Sequence, residues 1–277
     1  MMQHFKTKAM ISLTAVALAA CAGLSEARQS AAEPEPFSVE QINNQPFLID
    51  WTDAAIDPRW YVSNHNLPNG HWKSDFRSTN VRALPNGLNV KVTSKAPATG
   101  EWDTDGGEIQ YLGTLGFGEY HTIMKAAPGS GLVSSFFTYT GSYYGNPHDE
   151  IDFEFVGKSP YEVQLNAFTD GRPLGPIKYP VDFDTTKNDA LYSFTWEPDS
   201  VTWYINGELV HRVTGDTFPI PQTPGLLMAN LFVGREKGWV GESDFKEGST
   251  AIYKCMSYRP LGDTTSKTCA EEFEHYR

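Results

Sequence analysis

The chain has 277 residues, with seven Trp, thirteen Tyr and a formal net charge of −12. This length suits one large domain or two small ones, and the acidic balance argues against a nucleic-acid partner, because phosphate backbones need a basic surface. Aromatic residues make up 13% of the chain, which fits either a large core or a surface on which sugar rings stack.

The N-terminal segment predicts export. Two lysines precede an apolar run at 10–20 that is too short to span a bilayer. The sequence LAAC at 18–21 resembles a bacterial lipoprotein cleavage site, at which Cys21 becomes the lipidated first residue. A conventional signal peptide cut near 25–27 is the alternative. Both interpretations place the protein outside the cytoplasm, either secreted or as a lipoprotein of the periplasm or outer membrane, with membrane contact only through the lipid anchor.

The following residues predict a tether and then one domain. Residues 21–36 are small and polar with two prolines, a composition typical of a flexible linker. We therefore expect a signal peptide at 1–20, a tether at 21–36 and a globular, monomeric domain at 37–277.

Short strand patterns separated by Gly and Pro turns fill this domain. Asn206-Gly207 joins two of them in the manner of a hairpin turn. The other β-rich segments lie at 88–92, 108–112, 119–124, 131–139, 162–168, 191–196, 226–232 and 250–258. No long helical period stands out. The pattern predicts an all-β fold, an antiparallel β-sandwich with a concave face free to hold an extended polymer.

The segment 148–155, HDEIDFEF, carries the strongest functional signal. Successive side chains of a strand point to opposite faces, so Glu150, Asp152 and Glu154 share one face and three apolar residues share the other. Three like charges on one face repel one another, and a fold does not need them. Glycoside hydrolysis does use paired carboxyl groups.

Two other interpretations of the acidic face stay open. It could belong to a solvated edge strand or to a calcium site. The strongly apolar opposite face favours a central strand. The Cα atoms of Glu150 and Glu154 would lie about 13 Å apart, but side chains leaning over Asp152 could approach the roughly 5.5 Å carboxyl separation of a retaining enzyme. The charge of Asp152 would help to keep the acid protonated.

Cys255 and Cys269 remain as a possible disulfide once Cys21 is assigned to lipid. Such a bridge would close a loop of about 15 residues and stabilise the fold by about 3 kcal/mol. Two free thiols are the alternative.

The segment 149–157, DEIDFEFVG, closely resembles the signature of glycoside hydrolase family 16. The segments 133–141, 164–171, 195–198 and 203–207 are similar to the neighbouring strands of bacterial lichenases, and the resemblance runs in order from 60 to 258. It implies a concanavalin-like β-jelly roll with a long substrate cleft and double-displacement chemistry. By motif position it implies Glu150 as nucleophile, Asp152 as assisting carboxylate and Glu154 as general acid/base.

The resemblance also implies a cleft lined by sugar-binding residues. By position or by aromatic character we expect these to be Asn69, Trp72, Glu108, Gln110, Phe137, His148, Asn166, Phe168, Phe232 and Trp239. Trp239, in a Gly-flanked loop, is expected to contact substrate, whereas Trp196 and Trp203, within strands, are expected to pack in the core.

Four positions depart from the lichenase pattern. His148 replaces a tryptophan, and a histidine at this position resembles plant xyloglucan endotransglucosylases and bacterial exopolysaccharide hydrolases. Gln110 replaces a basic residue, and Ser74 replaces a cysteine. Lys254 stands where an aspartate ligates structural calcium in lichenases, which argues against that calcium and leaves a site of backbone carbonyls as the alternative. We expect no cofactor.

The sequence therefore predicts an exported endo-β-glucanase that hydrolyses β-1,3-1,4-glucan or a related exopolysaccharide with retention. One alternative is a transglycosylase or hydrolase acting on xyloglucan or succinoglycan. A second alternative is a non-catalytic, carbohydrate-binding surface lipoprotein. A calcium-stabilised adhesion domain is a third, and Lys254 argues against it.

Overall fold

The computed structural model describes residues 43–67, 72–95 and 104–276. Within these ranges the chain forms two mainly antiparallel sheets packed face to face, which confirms the predicted all-β sandwich. The predictions for residues 1–36, including lipidation of Cys21, and for Asn69 lie outside the described residues. No helix of the described ranges is long and apolar enough to cross a membrane.

Eighteen strands and a few short helices make up the described chain. The strands are β1 (Phe47–Asp50), β2 (Trp60–Val62), β3 (Ser74–Phe76), β4 (Val81–Leu84), β5 (Gly87–Lys91), β6 (Thr93–Ser94), β7 (Thr104–Tyr111), β8 (Gly118–Lys125), β9 (Leu132–Thr140), β10 (Asp149–Val156), β11 (Glu162–Thr169), β12 (Arg172–Pro173), β13 (Ile177–Pro180), β14 (Ala190–Glu197), β15 (Ser200–Ile205), β16 (Glu208–Thr214), β17 (Leu226–Val233) and β18 (Thr250–Pro260). The α-helices are α1 (Lys237–Val240) and α2 (Cys269–Glu272), and 3-10 turns span Ser78–Asn80, Ser142–Tyr144 and Phe273–Tyr276.

The sheet that carries the acidic strand has the order β12-β11-β10-β9-β17-β7-β2, with β13 on β11 and with β3 and β6 on β7. Strand β10 therefore lies between β9 and β11, as its apolar face predicts, and is not an edge strand. The opposing sheet has the order β16-β15-β14-β8-β18-β5-β4, with β1 beside β18.

The hairpin β15–β16 turns at the predicted Asn206-Gly207 pair. Both residues have positive φ, 52° and 82°. A two-residue turn of this hand matches the right-handed twist of the flanking strands, and Asn and Gly tolerate the left-handed region best.

The apolar side of β10 anchors the strand in the core. Ile151, Phe153 and Phe155 are almost fully buried, and the rings of Phe153 and Phe155 lie 5.6 and 4.6 Å from that of Tyr192 in the opposing sheet. Trp203 donates its indole N–H to the carbonyl of Asp152 across 3.1 Å. These contacts hold β10 so that its acidic side chains face outward.

The two tryptophans predicted for the core are buried there. Trp203 is 0% exposed and Trp196 is 2% exposed. The indole N–H of Trp196 donates to the Pro221 carbonyl across 2.8 Å, so its one polar group is satisfied.

A disulfide joins Cys255 of β18 to Cys269 of α2, as one of the two cysteine interpretations predicts. Around it, Phe273 and both sulfurs pack against Ile123 and Leu191. The bridge thus fixes the C-terminal helical segment to the sheet opposite the acidic strand.

Candidate active site

A cavity of about 900 Å³ lies over the outward face of β10 and its neighbours. Every predicted site residue that the structure describes lines it. They are Trp72, Glu108, Gln110, Phe137, His148, Glu150, Asp152, Glu154, Asn166, Phe168, Phe232 and Trp239.

The register of the sheet places a residue of β9 and a residue of β11 beside each of the three carboxylates. Across β9 and β11, Glu150 pairs with Tyr139 and Phe168, Asp152 with Phe137 and Asn166, and Glu154 with Ser135 and Gln164. All of these except Gln164 line the cavity. Each carboxylate is therefore flanked on both sides by side chains that share its face.

Burial favours the protonated form of two of the three carboxyl groups. Burial first, and then the charge of Glu150, raise the pKa of Glu154 to about 8. Burial, with the charges of Glu150 and Glu154, raises the pKa of Asp152 well above its ordinary value, and a hydrogen bond to Glu150 acts in the same direction. At neutral pH the cluster therefore keeps a proton on Glu154, and its surroundings favour the protonated form of Asp152.

His148 contacts Glu150 directly. Its Nε2 lies 2.6 Å from Oε2 of Glu150, and its ring stacks on Phe168 at 4.7 Å with an interplanar angle of 16°. The hydrogen bond to Glu150 is the main cause of the raised pKa of His148, and burial opposes it.

On the β7 side of the cleft, neutral donors surround a buried carboxylate. Glu108 accepts hydrogen bonds from Ser63 and Gln110, both at 2.7 Å, and from Asn230 at 3.3 Å. The hydroxyl of Tyr144 donates to Oε1 of Gln110 across 3.4 Å. Gln110, which replaces a basic residue of the lichenase pattern, thus joins Glu108 to the 3-10 turn at the cleft rim.

Aromatic side chains wall the cleft next to β11 and β17. Trp239 donates its indole N–H to Gln164 across 3.0 Å, which fixes the ring plane. Trp72 meets Phe232 edge-on at 6.1 Å. The prediction that Trp239 lies in a loop is wrong, because Trp239 lies in the four-residue helix α1. Four residues are too few to show a helical period.

Several cavity residues were missed by the sequence analysis. Tyr139 alternates with Phe137 on β9, and Met228 and Asn230 alternate with Phe232 on β17, so the two-residue period of each strand would have found them. Ser135 follows the same period on β9. The others come from loops and turns, where no period exists, or, for Phe76, from a strand of three residues: His65, Asn66, Leu67, Phe76, Tyr143, Tyr144, Pro176 and Glu236.

Lys254, at the position where lichenases ligate calcium, forms an ion pair. The ammonium of Lys254 lies 2.6 Å from a carboxylate oxygen of Asp189. A cation supplied by the chain itself occupies this place, so the residues present do not fit a bound metal there. Within the described ranges, no group of three or more His, Cys, Asp or Glu side chains is arranged to hold a metal ion.

The family model for glycosyl hydrolases family 16 matches residues 69–252. A beta-glucanase of Bacillus subtilis (strain 168) is 40% identical over 197 residues, which cover 71% of this chain and 77% of that protein. Two solved structures are also similar. A beta-1,3-1,4-glucanase (lichenase) from a mouse hindgut metagenome has 32% identity and a TM-score of 0.73, covering 78% of this chain and 99% of that one. The Bacillus licheniformis beta-glucanase has 33% identity and a TM-score of 0.71, covering 77% and 97%.

Proposed function

Because the chain belongs to glycosyl hydrolase family 16, and is thus an O-glycosyl hydrolase with beta-glucanase relatives, we propose that it is a retaining endo-β-glucanase acting on β-1,3-1,4-glucan or a closely related neutral glucan. The observation that carries the mechanism is the placement of two carboxyl groups on one face of β10, one of them deeply buried. Burial and the charge of Glu150 raise the pKa of Glu154 to about 8, which provides a proton donor four residues from a second carboxyl group on the same face. A proton donor and a nucleophile are the two groups that retention requires.

In the first step, an oxygen of Glu150 attacks the anomeric carbon. The bond from that carbon to the leaving oxygen breaks, its electron pair goes to the leaving oxygen, and Glu154 supplies the proton. Asp152, whose raised pKa favours its protonated form, donates a hydrogen bond to Glu150 and orients it.

In the second step, water attacks the same carbon from the opposite face. The carboxylate of Glu154 takes the proton of the water, and the bond to Glu150 breaks with its electron pair returning to that carboxylate. Two inversions give net retention, and the two carboxyl groups end in their starting protonation states.

The charge of the cleft supports a neutral substrate. Among the described residues that line the cavity, Glu108, Asp152 and Glu236 are acidic in addition to the catalytic pair of Glu150 and Glu154, and none is Lys or Arg. A polymer carrying succinyl or uronate groups would meet like charge without a Lys or Arg among these residues to pair with it. The lichenase named above acts on a neutral glucan, and its likeness to this chain supports the same class here.

Replacement of the nucleophile tests the proposal. Glu150→Gln should abolish release of reducing ends from lichenan while circular dichroism and the unfolding temperature stay near those of the wild type, because the amide keeps the shape but cannot attack. Glu208→Gln, an exposed change on the opposing sheet, is the matched control and should leave activity unchanged. Near-normal turnover by the Glu150 variant would exclude the mechanism.

We also propose export with lipidation of Cys21. The basic and apolar leader, the LAAC sequence and the disulfide between Cys255 and Cys269 support it. In a bacterial host fed labelled palmitate, the full chain should take up label and Cys21→Ser should not. Unlabelled wild-type protein that is processed near residue 26 would favour a conventional signal peptide.

A further inference from the structure

His148 is held in place from several sides at the entrance of β10. Its carbonyl accepts from Gly171 across 2.8 Å, its ring lies flat against Phe168, and the ring of Tyr139 lies 5.3 Å away. The side chain is 35% exposed, so it lines the cleft but cannot swing freely.

The neighbouring Asp149 fixes the backbone beneath this ring. Its carboxylate accepts from the backbone N–H groups of Asp170, Gln222 and Thr223 at 2.8, 3.0 and 2.9 Å. Three such bonds to one buried carboxylate tie the start of β10 to two separate loops. The position of the imidazole relative to Glu150 is therefore set by the fold.

A carboxylate can only accept hydrogen bonds, so the proton in the 2.6 Å contact belongs to Nε2 of His148. We propose that His148 is a positioning residue for the nucleophile: its Nε2–H binds Oε2 of Glu150, turns the other oxygen toward the anomeric carbon, and stabilises the carboxylate as it leaves in the second step. This inference rests on the proposed retaining mechanism.

The second step shows where this hydrogen bond acts. As the bond between the anomeric carbon and Glu150 breaks, the electron pair returns to the carboxylate, and negative charge spreads over both of its oxygens, including Oε2, which His148 binds. A donor aimed at developing charge accelerates the step in which that charge appears. Loss of the donor should therefore slow release of the glycosyl-enzyme more than its formation.

Titratable groups around the ring favour its charged form. These groups are Glu150 and Asp149 of β10 and Tyr139 of β9, whereas β11 presents Phe168, which does not titrate. The hydrogen bond to Glu150 raises the pKa of His148 above the ordinary 6.5. As pH rises through this raised pKa, the imidazole of His148 loses its positive charge and its hydrogen bond to Glu150 weakens.

Two substitutions distinguish the effect of the N–H donor of His148 from the effect of its ring. His148→Phe keeps a flat ring against Phe168 but has no N–H, whereas the amide nitrogen of His148→Gln can reach the place of Nε2 and never titrates. A dinitrophenyl β-glycoside of a lichenan-derived disaccharide has a good leaving group, so the second step limits its turnover. Initial rates, the burst of dinitrophenolate and intact mass are measured from pH 5 to 9.

The Phe variant should lose about tenfold to a hundredfold in kcat, the effect of one hydrogen bond to a charged group. KM should fall with it, and the glycosyl-enzyme should accumulate. The Gln variant should recover kcat to within about threefold. The wild type should show a break in its pH profile above pH 6.5, and the Gln variant should lack it.

Unchanged kcat and pH profile in the Phe variant would overturn the inference. Equal losses in kcat and kcat/KM with no recovery by Gln would also overturn it, because they indicate packing alone. A wild-type enzyme that hydrolyses lichenan but never forms a covalent intermediate would instead refute the proposed retaining function.

Discussion

Glu154 shows how its surroundings assign a task to one side chain among three similar ones. All three carboxylates share a face of β10, yet Glu154 has a pKa raised to about 8 by burial and by the charge of Glu150. The alternation of the sequence predicts the shared face, because strand geometry has a period of two. It cannot predict which group keeps a proton, because that depends on residues packed from β9, β11 and β17.

The pH dependence of catalysis follows from this shift. The general acid must be protonated for the first step, so kcat/KM on lichenan should stay high through neutral pH and fall by about tenfold for each pH unit above about 8. Initial rates at substrate concentrations far below KM measure it. A descending limb that begins near the ordinary glutamate value of 4.5 would contradict the assignment.

The free energy of unfolding should also depend on pH through Glu154. The folded-state pKa of Glu154 lies above its unfolded value, so its contribution to stability is fully present below about pH 4.5 and is lost as pH rises through about 8. In urea unfolding, Glu154→Gln should be more stable than the wild type at pH 9, and the difference should shrink toward pH 5. Parallel profiles for the two proteins would show that the site does not shift this group.

The sequence could not predict the hydrogen bond between His148 and Glu150, for a physical reason. Residues two apart on a strand point to the same side, which His148 and Glu150 satisfy. Their contact also needs the ring to lie against Phe168 of β11, and Phe168 comes beside Glu150 only through the β10–β11 register. The departure from the lichenase pattern marked the position without revealing its partner.

At the scale of elements, long strands were predictable and short irregular pieces were not. Strand β10 was recognisable because one face is apolar and the other acidic, and the Asn206-Gly207 turn located the β15–β16 hairpin. The helix α1 has four residues, too few for any periodicity, and it carries Trp239 into the cleft. The cysteines allowed a bridge, but only the fold brings β18 and α2 together.

Helix α1 should contribute binding through Trp239. Trp239→Ala should raise KM for lichenan about tenfold, or about 1.4 kcal/mol, with little change in kcat or in unfolding temperature, because the ring is only partly buried. Trp239→Phe keeps an apolar ring but loses the bond to Gln164, and should show an intermediate KM. An unchanged KM in the Ala variant would remove Trp239 from the substrate site.

The disulfide should act on stability and leave catalysis alone. It closes a loop with a sequence separation of 14, so Cys255→Ser combined with Cys269→Ser should lower the free energy of unfolding by about 3 kcal/mol. Urea unfolding of the double variant measures this, and kcat should match the wild type because the bridge lies on the sheet opposite the cleft. An unchanged unfolding midpoint would contradict a stabilising bridge.

The whole molecule divides its labour between its two sheets. One sheet supplies the acidic strand, the aromatic walls and a cleft lined without Lys or Arg among its described residues. The other sheet supplies the aromatic rings that pack against the apolar face of β10, and the C-terminal segment is fixed to it by the disulfide. This division explains why a strand with three neighbouring carboxylates is tolerated, since the aromatic core on its reverse side stabilises what the charges oppose.

The stereochemistry of the first products tests the central claim most directly. Proton NMR of a lichenan digest, followed from the first minutes, distinguishes the two anomers before they equilibrate. Attack by Glu150 followed by water predicts that the β-anomer of the new reducing end appears first and the α-anomer later by mutarotation. Initial appearance of the α-anomer would contradict the account.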